Sequence, residues 1–250
     1  MINSKDNPKI KHIQKLQTKP KFTKETRHYL VESQHHIQDI LESTPEYIQF
    51  VIYTTLPKQL KDNFLTKNIP LLEISDSLLK KCVSIKQSSG FLAVVYHPKP
   101  THLPLKTSAF YLDRISNPKN LGAIIRNSAA FGFNTLFLSP ESVDPFHPEA
   151  VRASAGTLSK INIINSNLDS ILKLNPTIYP ILLDTHSNRS IKDIPLQTQI
   201  LFILGSEKGF TDSKIETNTL PSYKIDLQNN LDSLNVAVTT GILGFYLSTR

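Results

Sequence analysis

In the second half of this chain, short apolar runs recur between helix-like segments, and that alternation constrains the fold more than any single residue does. "AFYLD" (109–113), "TLFLS" (135–139), "IYPILLD" (178–184) and "ILFIL" (200–204) read as strands. The last two are nearly continuous apolar runs, as expected of strands covered on both faces of a parallel sheet. "NLGAIIRNSAAFG" (120–132) reads as a helix ending in glycine, and "YKIDL" (223–227) as a strand followed by a final helix. Strands and helices alternating in this way predict an α/β fold built on a parallel sheet.

The first part is different. "HYLVESQHHIQDILES" places Leu30, Ile37, Ile40 and Leu41 at spacings that one side of a helix can carry, while "YIQFVIYT" and "FLAVVYH" are short β-rich runs. "HPKPTHLPLKTS" then brings Pro98, Pro100 and Pro104 within seven residues, which neither a helix nor a central strand tolerates. The expected organisation is a small mixed α/β domain over 1–97, a linker over 98–106 and an α/β domain over 107–250.

Charge is concentrated at one end. Of the formal +7, a local excess of +6 falls between Met1 and His28, where Lys5, Lys9, Lys11, Lys15, Lys19, Lys21, Lys24 and Arg27 face only Asp6 and Glu25. A basic, proline-punctuated arm suits a polyanion, because each neutralised phosphate releases counterions; a solvated surface is the alternative. "MINSKDNPKIKHIQKL" lacks the apolar core of a signal peptide, and the single cysteine, Cys82, excludes an intramolecular disulfide framework. A cytoplasmic location is expected. The closing stretch is uncharged from Ser233 to Thr249, but it is too short and too rich in Asn, Ser and Thr to cross a hydrocarbon layer that takes about 20 residues.

Familiar ligand signatures are missing. No two of the eight glycines stand at i and i+2, so there is no G-x-G-x-x-G, and no G-x-x-x-x-G-K-[ST] occurs. One cysteine and eight histidines without an i,i+4 pair give no zinc pattern, and Cys82 reads as a small buried hydrophobe. No metal is expected.

In open α/β sheets, ligands bind beyond the carboxyl ends of the strands. The segments there are "RISNPKN", "THSNRS", "GSEKGFT" and "QNNLDSLN", full of glycine, serine and amides that leave main-chain groups accessible. Taken singly, Arg126 in its apolar helix reads as a partner for a carboxylate, Glu207 as a loop residue, and Gly205 and Gly209 as turn formers. Their significance comes from all of them following strands of one domain.

Together these segments resemble the SpoU (TrmH-like) family of RNA ribose 2′-O-methyltransferases in the SPOUT superfamily. The first motif is similar to "LDRISNPKNLGAIIRNSAAFGF", with Asn120 and Arg126; the second to "ILGSEKGF", with Glu207; the third to "IDLQNNLDSLNVAVTTGILGFYL", with Ser233 and Asn235. "EAVRASAGTLSKI" (149–161) resembles the segment between motifs one and two, and "NPKIKHIQKL", "YLVES" and "SSGFLAVV" are similar to the family's small substrate domain. Asp226 stands where the family often has proline, and Ser206-Glu207-Lys208 replaces a more usual Asn-Glu-Gly.

The resemblance implies a parallel sheet with a C-terminal trefoil knot, a homodimer, and S-adenosylmethionine held largely by backbone groups near Leu204, Gly205, Ile225, Leu227 and Leu234. It implies methyl transfer to a ribose 2′-hydroxyl, with Asn120, Arg126, Glu207, Ser233 and Asn235 in the active site. A guanidinium has no acceptor, so Arg126 suits stabilising an alkoxide or a phosphate better than abstracting a proton. Asn120 and Glu207 would position groups, and Ser233 and Asn235 would order the cofactor loop. The expected substrate is 23S ribosomal RNA, with Lys9, Lys11, Lys15, Arg27 and Arg152 as candidate RNA contacts. The alternatives are transfer RNA, methylation of a base, and a noncatalytic role in ribosome assembly. In the closing stretch, Gly241 and Gly244 lower helix propensity, which suits a helix packed closely against a neighbour.

Overall fold

The lysine-rich N-terminal segment is folded into helices in the computed structural model, which describes residues 1–84, 88–101, 104–195, 199–205, 220–229 and 231–249. Asn7 caps α1 (Pro8–Thr18), its side chain accepting from Lys9 N, and Pro20 opens α2 (Pro20–Thr26). Ile10, Ile13 and Leu16 of α1 recur about once a turn and are buried. The expected arm is therefore part of a core, with its lysines on the opposite face.

These helices cover a four-stranded sheet of β1 (His28–Val31), β2 (Ile48–Tyr53), β3 (Leu71–Glu73) and β4 (Phe91–Tyr96), in the order β1-β4-β2-β3. β4 runs antiparallel to both β1 and β2, and β3 is parallel to β2. Between the strands lie α3 (Gln34–Ser43), α4 (Lys58–Thr66) and α5 (Asp76–Cys82). Leu30, expected on the helix with Ile37, Ile40 and Leu41, is instead a β1 residue, because the helix starts only at Gln34. It joins Ile10, Ile13, Phe50, Ile52 and Leu92 in one cluster. Cys82 is fully buried there, and burial pushes its thiol up to about 11, so it is a packing residue.

The second sheet has six parallel strands: β5 (Ala109–Leu112), β6 (Thr135–Leu138), β7 (Asn162–Asn165), β8 (Tyr179–Leu183), β9 (Ile200–Leu204) and β10 (Ser222–Tyr223), in the order β10-β8-β9-β5-β6-β7. β5 and β9 are neighbours inside this sheet and are buried along their whole length, as their apolar runs require. Ala109, Tyr111, Leu201 and Ile203 pack on one face with Leu168 and Ile171 of α8 (Leu168–Leu174). The alternate residues Phe110 and Phe202 point the other way, where Phe133 stacks on Phe110 at 4.3 Å, just beyond α6 (Pro118–Ala130). "YKIDL" is less of a strand than expected: β10 ends at Tyr223, and pairing continues only as an isolated bridge from Lys224 to Ser190. The chain closes with α9 (Val236–Ser248). No helix of the described residues is long and apolar enough to cross a membrane.

By contacts the chain divides into two units, Met1–Lys99 with Asp144–Ser159, and Pro100–Val143 with Lys160–Arg250. Around the prolines, residues 97–101 and 104–108 form neither helix nor strand. The segment Asp144–Ser159, assigned from sequence to the second domain, groups with the first. It carries α7 (Pro148–Ala153), and its Phe146 ring stacks on His97 at 3.6 Å while also meeting Tyr29.

His97 sits at the end of β4, where its N–H donates to Arg27 O. Burial drives its pKa down to about 4, and burial also lowers those of His12 and His28, which share a 3.0 Å ring-nitrogen contact. A depressed imidazole leaves stability complete above its unfolded value of about 6.5 and removes it as pH falls toward the folded value. Urea unfolding at pH 7 and at pH 5 is expected to show a shallower loss of stability in His97→Phe than in the wild type; identical losses would contradict this.

Candidate active site

Because the sheet is parallel and in register, the carboxyl ends of its strands form one edge. Leu112 pairs with both Leu138 and Leu204, and Leu183 with Tyr223. Beyond β5, the turn to α6 is held by two serines. Arg114 N donates to Ser139 Oγ at 2.8 Å, Ile115 N to Ser142 Oγ at 3.3 Å, and Val143 N to Ile115 O at 2.8 Å. Arg114 takes a left-handed backbone (φ 50°) in this turn, and its guanidinium pairs with buried Asp113 at 3.3 Å. The turn delivers Asn117, whose side chain accepts from Lys119 N and caps α6. Asn120 follows in the first turn of that helix.

The C-terminal helix meets α6 side by side. Asn235 caps α9, accepting at Oδ1 from Ala237 N at 2.8 Å, and its Nδ2 donates to Asn120 Oδ1 at 3.1 Å. Residues 115 positions apart are thus in direct contact. Two turns further along α6, Asn127 Nδ2 donates to Ala237 O at 2.7 Å and to Thr240 Oγ1 at 3.1 Å. Gly241 and Gly244 are where the helices close on each other. A Cβ on Gly244 would lie 2.7 Å from Phe131 Cγ, whereas one on Gly241 would be 3.4 Å from Asn127 Nδ2. Close packing, expected from these glycines, is what the structure contains.

Arg126 lies on the exposed side of α6, and its guanidinium forms no hydrogen bond or ion pair with any described residue. Among the described residues it has no carboxylate partner of the kind its apolar helix suggested, and its exposed guanidinium suits an anionic ligand. Ser233 is exposed just before the α9 cap. Glu207 lies outside the described residues, as do Gly209 and part of the stretch through which the expected knot would be threaded.

Leu204 is buried at the end of β9, its carbonyl accepting from Asp113 N at 2.8 Å. Gly205, Ile225, Leu227 and Leu234 are half-buried, and no main-chain N–H or C=O of these four is hydrogen-bonded within the protein among the described residues. Half-buried polar main chain flanked by apolar side chains is suited to a ligand with a polar edge. Asp226 between them is exposed and accepts from Ser190 Oγ at 2.6 Å, so this departure from the resembled pattern has a structural partner.

The candidate RNA contacts lie on the first unit. Lys9 sits over the Phe50 ring at 4.7 Å, Lys15 over Phe22 at 5.3 Å, and Lys11 pairs with Asp6 at 2.8 Å. Arg27 ends α2 in a left-handed conformation (φ 54°). Arg152 donates to Ser84 Oγ, which donates in turn to buried Glu32 at 2.6 Å. All five remain exposed at their charged ends, on folded elements rather than on a loose tail. Among the described residues no group of three or more His, Cys, Asp or Glu is placed to hold a metal ion.

Comparison with known proteins decides the family. Residues 108–245 match the SpoU rRNA Methylase family, and residues 7–93 match the MRM3-like substrate binding domain. The chain belongs to the SpoU rRNA methylase family. It is similar to the Bacillus subtilis 23S rRNA (guanosine(2553)-2′-O)-methyltransferase RlmP, at 26% identity over 98% of each chain. Its fold is that of the AdoMet-bound rRNA methyltransferase from Sinorhizobium meliloti, with a TM-score of 0.85 and 23% identity over 98% of this chain and 95% of that one. It is also that of the SpoU methyltransferase AviRb from Streptomyces viridochromogenes in complex with AdoMet, with a TM-score of 0.82 and 19% identity over 97% of this chain and 98% of that one.

In this SpoU protein, the residue that sequence reasoning missed is Asn127, which ties α9 to α6. Its one signal was being a second amide, after Asn120, on a largely apolar helix. The docking it supports makes unequal demands on the two glycines. Gly244→Ala is expected to cost about 1–3 kcal/mol in urea unfolding through overpacking against Phe131, whereas Gly241→Ala should be neutral or gain up to about 1 kcal/mol of helix propensity. Equal effects would contradict the docking geometry.

Proposed function

We propose that this chain transfers the methyl group of S-adenosylmethionine to a ribose 2′-hydroxyl of 23S ribosomal RNA, with Asn120, Arg126, Glu207, Ser233 and Asn235 forming the active site. The observation that carries this reading is the Asn235–Asn120 hydrogen bond, which joins the third motif to the first on the helix that bears exposed Arg126. The ribose specificity is supported by the name of the Bacillus subtilis relative, similar along the whole chain.

The residues present fit the cofactor. Main-chain groups of Gly205, Ile225, Leu227 and Leu234 that have no partner among the described residues offer donors and acceptors to its polar edges, and the apolar side chains of Leu204, Ile225, Leu227 and Leu234 flank them. Bound there, S-adenosylmethionine supplies an electrophilic methyl group on a sulfonium. The protein's task is the nucleophile, because a neutral hydroxyl reacts poorly until its proton is shed or shared. Arg126 stabilises the oxygen as negative charge develops, and Asn120 and Asn235 fix the surroundings in which it does so.

Two further parts complete the reading. Lys9, Lys11 and Lys15 of α1, with Arg27 and Arg152, hold the RNA backbone. A second copy of the chain covers α9, where Val238 (51% exposed) and Phe245 (62%) lie two turns apart on one stripe of an uncharged helix.

Arg126→Ala should keep S-adenosylmethionine and RNA affinity within about twofold by calorimetry and filter binding while lowering kcat roughly 100- to 1,000-fold, the usual cost of removing one donor to a developing oxyanion. Near-normal turnover would contradict the role given to Arg126.

A further inference from the structure

Asp226 stands between Ile225 and Leu227, and the main chain on either side of it is tied down only at a distance. The pairing of β10 stops at Tyr223, and Lys224 is the last residue before the 225–227 stretch with main-chain partners among the described residues: its N–H donates to Arg189 O and its carbonyl accepts from Ile191 N, both at 2.8 Å. Past that point the only hydrogen bond or ion pair joining 225–227 to another described element is made by the Asp226 carboxylate. Its Oδ2 accepts from Ser190 Oγ at 2.6 Å and lies 4.0 Å from Lys192 Nζ.

Ser190 is itself held on every side. Its N–H donates to Asp193 Oδ2 at 3.0 Å and its Oγ accepts from Lys192 N at 3.2 Å, a reciprocal cap on the single helical turn Ile191–Asp193. Upstream, Ser187 Oγ donates to Ser222 O at 2.8 Å, and the Arg189 guanidinium lies over the Tyr223 ring at 4.6 Å. Residues 187–193 therefore run beside 222–226 as a brace, with the Ser190–Asp226 bond as its outermost tie. A chain leaving the end of a two-residue strand samples many orientations, and a short hydrogen bond to an ionised carboxylate from a pre-capped serine selects among them.

We propose that Asp226 is a positioning residue for the cofactor. Clasped by Ser190, it holds 225–227 in the orientation that presents the main-chain groups of Ile225 and Leu227 to S-adenosylmethionine, without touching the cofactor itself. This rests on the assignment of Ile225 and Leu227 to cofactor binding made above. The brace 187–193 thereby becomes part of the binding apparatus, and this chain secures the loop by a side-chain clasp.

The test is calorimetric titration of the full chain with S-adenosylmethionine, together with steady-state kinetics, for wild type, Ser190→Ala, Asp226→Ala, Asp226→Asn and the Ser190→Ala/Asp226→Ala pair. If the unclasped loop is competent about one time in three to one time in ten, apparent affinity falls by the same factor. Ser190→Ala and Asp226→Ala should each weaken cofactor binding roughly three- to tenfold, raise KM for the cofactor alike, and leave kcat at saturation within about twofold. The double variant should bind no more weakly than Asp226→Ala, because both changes remove one clasp. Asp226→Asn, which keeps an acceptor for Ser190 Oγ, should recover part of the loss. Wild-type affinity in both single variants would overturn the proposal, as would fully additive losses or an affinity loss that tracks a fall in the thermal unfolding midpoint. A wild-type chain that does not bind S-adenosylmethionine would instead overturn the site assignment on which the clasp depends.

Discussion

The close approach of α9 to α6 is the contact on which the site depends. Its two asparagines, Asn120 and Asn235, belong to segments at opposite ends of the second unit and meet only because the helices lie near enough for a 3.1 Å hydrogen bond. That proximity is built from the absence of a side chain at Gly244, over the Phe131 ring, and from the presence of one at Asn127, which satisfies Ala237 O and Thr240 Oγ1 across the interface. An uncharged helix gains from burial but has no directional preference of its own. Glycine contact and amide bonds together supply the register.

The sheet beneath does the complementary work. Its parallel register brings the ends of β5, β6, β8, β9 and β10 to one edge, so each loop begins from a fixed point. Among the described residues, short polar side chains secure the segments that follow β5 and β8. Ser139 and Ser142 hold the turn into α6, Ser187 and Ser190 hold the chain beside β10, and asparagine caps start both α6 and α9. Such side chains replace main-chain ladder bonds where the chain must stay open to a ligand. The first unit follows another logic: its charge rides on helices whose opposite faces are buried, which gives the lysines fixed positions.

Much of the second sheet was legible because buried strands must be continuously apolar, and Phe110, Phe202 and their neighbours left no other reading. The helix at Asn120–Arg126 and the tight contact at Gly244 were legible for a similar reason, since each carries an unusual residue in an apolar frame. The first unit was harder. Ile10, Ile13 and Leu16 hold a helical period, but the lysines between them gave the segment the look of a solvated arm. Leu30 fits the spacing of the helix that follows and belongs to the strand before it, a boundary that only pairing with β4 decides. The affiliation of Asp144–Ser159 was hidden because stacking of Phe146 on His97 is a contact between residues far apart in the chain. Asp226 looked like a plain departure from a pattern, and its partner Ser190 lies 36 residues away in a loop of unremarkable composition.

The central claim is that this arrangement methylates a ribose. The most direct measurement is to incubate the purified chain with S-adenosylmethionine and unmodified large-subunit ribosomal RNA, digest the product to nucleosides and locate the added methyl by mass spectrometry. The account predicts a single 2′-O-methylated nucleoside, formed in proportion to enzyme and cofactor. A methyl group on a base, or no transfer under conditions in which the chain binds both RNA and cofactor, would contradict it.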